Sequence, residues 1–413
     1  MQLGAMLAVM LGMGFGTEPP QDRLYGRVYT TDGVVLEGYL RWDRNEVSGS
    51  DFLDGAKELP LGQLREAESL DPEYAAAQRR ARSLEAFGVR ITWDLAEGDD
   101  PITVPSSIRF SHIVSLTVLD ERRALVHLTS GEEVRLTGVS TDLGRGMRGI
   151  VIEDPSAEPA TVRWRQLERV DFLPPPAEST PAAERLHGTV TTRSGVEFEG
   201  DIGWDLDEVL FSDLLDGREG REDHEIPFGD IVSIVRDGER ASRVTLRDGT
   251  ALLLRGTNDV DRDNRGIDVS DRLFGRVTVP WDAFESVEFR SAPRIDAVSA
   301  SGQDIGPLRG TVYARDGRTI SGGIRWGNDA TAGWETLDGW RDGVDFAIEF
   351  GAIRSVGRNE SGGVTVTLID GRTVDLDSSD DVGESNMGIF VEPDGRATRL
   401  VRWRDFDRLE FQR

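Results

Sequence analysis

The chain has 413 residues, 38% of them hydrophobic, which suits two to four globular domains and excludes wholesale disorder. A formal net charge of −27 disfavours nucleic acid and anionic membrane surfaces as partners. No cysteine is present, so disulfides, thiolate metal sites and a cysteine nucleophile are excluded, and Lys57 is the only lysine among 48 basic residues.

Residues 1–16, MQLGAMLAVMLGMGFG, are uncharged and apolar, and the chain turns polar at Thr17. That length suits a signal-peptide core and is short for a bilayer span, with Gly14 and Gly16 as small residues for cleavage. No Lys or Arg precedes the run. The expectation is an exported protein, periplasmic or secreted; the alternative is a cytoplasmic protein with an apolar first segment. No later stretch approaches the length of a membrane-spanning helix.

From Leu24 the sequence repeats. LYGRVYTTDGVVLEGYLRWD returns as LHGTVTTRSGVEFEGDIGWD from Leu186 and as LRGTVYARDGRTISGGIRWG from Leu308. Trp42, Trp204 and Trp326 match, and Trp164, Trp281 and Trp403 close the copies. The second and third pairs are 77 residues apart, the first 122, so the first copy carries about 45 extra residues. Each copy divides again. Its first half ends on an aromatic-x-x-aliphatic-x-x-aliphatic run (Phe110, Ile113, Leu116; Phe228, Ile231, Ile234; Phe350, Ile353, Val356). Its second half ends likewise (Trp164, Leu167, Val170; Trp281, Phe284, Val287; Trp403, Phe406, Leu409). Alternating apolar residues around Asp32-Gly33, Ser194-Gly195, Asp316-Gly317, Ser130-Gly131, Asp248-Gly249 and Asp370-Gly371 predict hairpins, because glycine takes positive φ cheaply. The closing runs predict a short helical turn leading into a last strand.

The pattern Gly26, Asp32-Gly33, Gly38, Asp43 resembles the first motif of Sm-like proteins over about twenty residues per copy, a hairpin shared with SH3-type barrels. The resemblance implies a small β-barrel for each half. RNA binding in that family needs a second Arg-Gly motif in the same unit. Here Arg148-Gly149 and Arg265-Gly266 lie in the second halves and the third copy has Met387-Gly388, so no nucleic acid is expected. The fold class is therefore all-β: three tandem repeats, each of two small SH3/Sm-like barrels, with one helical insertion in the first.

In chain order, the first copy spans 24–173 with its insertion at about 60–100. There Asp71 is expected to cap a helix, Pro72 to fill its first turn, EYAAAQRRARSLEAF to extend it with Tyr74, Ala77, Ala81, Leu84 and Phe87 on one stripe, and Gly88 to end it. A proline-rich linker occupies 174–185, the second copy 186–290, a small polar linker 291–307 and the third copy 308–413.

Residues shared by all three copies are expected to serve the fold, and unshared ones to be candidates for function. LGRGMRGI at 143–150 contains G-x-G-x-x-G, but only its last glycine recurs, as Gly266 and Gly388. The IVIED that follows reads as strand, which excludes a dinucleotide turn. Asp259-x-Asp261-x-Asp263 resembles the opening of a calcium loop, although Asn264 and Ser270 stand where a glycine and a bidentate glutamate belong. Calcium at Asp259, Asp261 and Asp263 is the one cofactor considered. Acids after two tryptophans, Asp43 with Glu46 and Asp205 with Asp207 and Glu208, have the types a glycosidase pair needs, but the third copy has Gly327 and Ala330. His112, His127, His187 and His224 form no metal or catalytic motif, and no G-x-S-x-G or P-loop occurs. The six recurrent tryptophans read as core, whereas Trp334 and Trp340 have no equivalents and are the expected partner contact.

The function expected is a non-enzymatic exported binding or structural protein making multivalent contacts with a protein or polysaccharide. The alternative is a calcium-dependent or carbohydrate-binding module, or a hydrolase using acids of one copy.

Overall fold

The computed structural model describes residues 23–72, 84–86, 89–91, 102–154, 156–176, 181, 183–271, 275–292, 304–377 and 379–412. The 1–16 segment and most of the 291–307 linker lie outside these residues.

The protein is all-β, built from antiparallel sheets. In the second copy the strands run in the order Ala251–Leu254, Ser242–Leu246, Ile231–Arg236, Phe284–Phe289, His187–Thr192, Glu197–Trp204, Ile267–Asp271 and Gly275–Val279. The first and third copies repeat that order strand for strand. The two halves expected as separate barrels therefore share one sheet, because the last strand of the second half inserts between two strands of the first.

The closing runs explain this. The final aliphatic residues of the two halves face each other, with the first strand alongside. Val190 pairs with Val287 and Val287 with Ile234; Val28, Val170 and Leu116, and Val312, Leu409 and Val356, do the same. All nine are fully buried, and each burial contributes roughly 1.5–3 kcal/mol. Two apolar halves with matched rows gain more by sharing a core than by closing separately. Helical turns are present as 3₁₀ turns at Phe110–His112, Trp164–Gln166, Phe228–Asp230, Phe350–Ala352 and Trp403–Asp405, whereas the Trp281 run enters its strand through a hydrogen-bonded turn.

Between the second and third strands that each first half gives to its main sheet, a further hairpin projects: Phe52–Glu58 with Thr103–Arg109, Leu214–Glu219 with Glu222–Pro227, and Thr336–Arg341 with Val344–Glu349. The third copy's hairpin extends the second copy's sheet, Val277 pairing with Phe346. Its counterpart at Glu222–Pro227 pairs only within its own hairpin. There Glu222, Asp223, Glu225 and Pro227 are exposed, the charges and proline that keep an edge from recruiting another strand.

The first copy's insertion sits at the tip of its hairpin. An α-helix at Leu61–Leu70 precedes the span expected and ends at Asp71, and Pro72 after it is again helical, as expected for a first turn. Proline disfavours helical backbone in the residue before it, and Asp71, preceding Pro72, leaves the helical region at φ −141°, ψ 81°. Residues 73–83 and Phe87 lie outside those described, and Leu84–Ala86 pairs with Val89–Ile91 as a strand. The helix packs on the third copy: Ala67 meets Met387 and Phe390, Glu66 bonds Arg325 and Thr398, and Asp71 pairs with Arg402.

Candidate functional site

Each first-half tryptophan holds the same arrangement. Trp42, Trp204 and Trp326 are fully buried and Trp164, Trp281 and Trp403 nearly so, packed against phenylalanines of both halves, as in the edge-to-face pair Trp204–Phe284 at 5.3 Å. The indole N–H of Trp42 donates to Asp142 O, that of Trp204 to Asp259 O and that of Trp326 to Asp381 O, at 2.9–3.0 Å. The carboxylate of that same aspartate then accepts the amide of Asp54, Asp216 or Asp338 in the projecting hairpin, at 2.7–2.8 Å. Asp259 is thus first a structural tie, common to all copies.

The trio Asp259, Asp261 and Asp263 does not converge. Asp261 accepts the Asp263 amide in a local turn, and Asp263 is exposed. What Asp259 meets is the other acidic group noted in the sequence: one carboxylate oxygen each of Asp205, Glu208 and Asp259 lie within 4.8 Å of one another. Asp205 and Leu206 follow the strand in left-handed backbone (φ 49° and 61°), a turn that swings Glu208 back beside Trp204, where their backbones exchange hydrogen bonds. Asp205 is held by the Arg265 amide (2.6 Å) and guanidinium (3.0 Å). Glu208 Oε2 is buried without a hydrogen-bond partner. Burial, reinforced by Asp259 and Asp205, pushes Glu208 up to about 8, and burial pushes Asp259 up to about 6.

The first copy has acids at the matching positions, Asp43, Glu46 and Asp142, but among the described residues only the second copy's trio brings its carboxylate oxygens within 4.8 Å. Glu46 is buried, and desolvation followed by repulsion from Asp142 raises its carboxyl well above the usual range. The third copy lacks it, having Gly327 and Ala330. Three close carboxylates offer hard oxygen ligands for a divalent cation or share a proton between them.

Trp334 is not exposed. It is 1% accessible, wedged into the first copy's core with its indole N–H on Glu132. Trp340 is 43% exposed at the end of its hairpin. The histidines stay apart: His112 pairs with Glu349 and His187 with Asp201. Gly149, Gly266 and Gly388 all have φ of 118–134° as the chain enters a strand, and strand Ile150–Glu153 follows Gly149.

A set missed in the sequence lies between copies. Nine residues after each first tryptophan stands an acid: Asp51, Asp213 and Glu335. One oxygen of each caps two backbone amides, those of Val47 and Ser48, Val209 and Leu210, and Thr331 and Ala332. The other oxygen meets a cation from a different copy: Arg185, Arg41 and Lys57 respectively. The even spacing was the available signal.

No known protein family matches the chain, and neither the curated proteins nor the solved structures yield a match. Among the described residues no helix is long and apolar enough to cross a membrane.

Proposed function

We propose that the chain is a non-enzymatic, exported binding or structural protein whose three copies act as one rigid scaffold. The observation that carries this is the set of buried ion pairs joining copies: Arg185–Asp51, Lys57–Glu335 and Arg109–Glu349. Groups that recur are spent on packing, and fixed relative orientation of the copies suits multivalent contact, where a rigid array raises avidity without new contacts. The apolar 1–16 segment supports export.

A second reading, a calcium-dependent module, is favoured by the Asp205–Glu208–Asp259 geometry. A carbohydrate face rests on Trp340 alone, since the recurrent tryptophans are buried.

Terbium luminescence sensitised through Trp204 separates these readings. The scaffold reading expects no saturable emission. Emission displaced by calcium and lost in Glu208→Gln assigns the cation site instead. Turnover of chromogenic glycoside or ester substrates that vanishes in the same variant overturns the non-enzymatic reading.

A further inference from the structure

The three junction carboxylates differ in one respect. Asp51 and Asp213 face arginines, whose delocalised guanidinium stays protonated and is no nucleophile, whereas Glu335 faces a lysine, whose amine attacks carbonyl carbon once neutral. The third junction therefore changes both partners, Lys for Arg and Glu for Asp, in a chain whose every other basic residue is arginine. Lys57 and Glu335 are both buried, and the Trp334 ring lies 5.7 Å from the ammonium. Nζ contacts Glu335 Oε1 and donates to the Asp329 backbone carbonyl at 2.6 Å.

We propose that Lys57 and Glu335 condense into an isopeptide bond, a covalent tie between the first and third copies. Oε2 of Glu335 already receives the amides of Thr331 (2.5 Å) and Ala332 (2.9 Å), donors placed to stabilise the oxyanion of a tetrahedral adduct. The ammonium first passes a proton to Oε1, which leaves the amine neutral and nucleophilic. The amine then attacks Cδ, forming the Nζ–Cδ bond with negative charge on Oε2. Asp329 carries a second proton from nitrogen to Oε1, the Cδ–Oε1 bond breaks, and Oε1 leaves as water; one N–H stays on the amide. No oxidant or co-reactant enters. Burial raises Asp329 to about 6, with Lys57 lowering and Glu335 raising it, which suits a group that accepts and returns a proton near neutrality. The partners lie 278 residues apart in sequence, so the bond closes a loop that a chain without cysteine has no disulfide to close.

Tryptic digestion of the purified full chain with tandem mass spectrometry tests this. A condensed Lys57 is not cleaved, so the expected product is a branched peptide joining 45–65 to 326–341, lighter by one water than the sum of the two. Lys57→Arg keeps the charge and abolishes the branch, and Asp329→Asn lowers the branched fraction. Complete cleavage after Lys57 in the folded wild-type chain, with 326–341 at its unmodified mass, overturns the proposal. An undiminished branch in Asp329→Asn overturns the role given to Asp329.

Discussion

Arg109 of the first copy bonds Glu349 of the third at 2.8 Å, and His112 bonds the other carboxylate oxygen at 2.7 Å, all three buried. Burial raises the Glu349 carboxyl, but Arg109 and His112 outweigh it and hold the group below its ordinary value. A depressed acid adds stability above its unfolded pKa and loses it as pH falls through the folded value. Glu349→Ala leaves a buried arginine unpaired and should cost roughly 3–5 kcal/mol at pH 7. The penalty should shrink on acidification below the carboxylate range, as read by denaturant melts across pH.

Glu208 behaves in the opposite sense. With its folded value raised to about 8, its contribution is fully present below the ordinary glutamate range and is lost as pH rises to that value. Glu208→Gln replaces the protonated acid by a neutral group of the same shape. The variant should match wild type near pH 4 and melt higher than wild type near pH 8.

Burial separates ion pairs that matter from those that do not. Asp51→Ala removes the cap on Val47 and Ser48 and the carboxylate that faces the buried Arg185, an expected loss of roughly 3–5 kcal/mol by chemical denaturation. Arg27→Ala breaks the exposed pair with Glu37 and should leave the melting temperature unchanged.

The recurrent glycine tests the backbone. A Cβ at Gly266 meets nothing closer than 3.3 Å, so Gly266→Ala carries only the conformational strain of φ 134°, about 1–3 kcal/mol. At Gly388 a Cβ runs into the Val401 carbonyl and lies 2.7 Å from Arg402 Cα. Gly388→Ala should cost clearly more, measured in parallel melts.

The alternation around Asp32-Gly33, the buried tryptophans and the turns before the closing strands were legible because each depends on local chemistry. The shared sheet was not, since pairing Val190 with Val287 is a contact that periodicity alone cannot assign. The helix Leu61–Leu70 was not legible, having no capping residue at Pro60, and it ends where Pro72 disfavours helical backbone at Asp71. For the candidate site, the acids after Trp204 and the acid at 259 were each visible. Their meeting depends on the left-handed turn at Asp205 and Leu206, which non-glycine residues rarely announce. Trp334 lacks an equivalent because it fills a junction, and a junction side chain looks like a surface one until the neighbouring copy is in place.

Differential scanning calorimetry of the full chain tests most directly whether the copies form one body. Buried pairs across the junctions, and the sheet shared by the second and third copies, predict one transition, with calorimetric and van't Hoff enthalpies equal. Two or three separable transitions, or a calorimetric enthalpy severalfold larger than the van't Hoff value, would contradict the rigid scaffold.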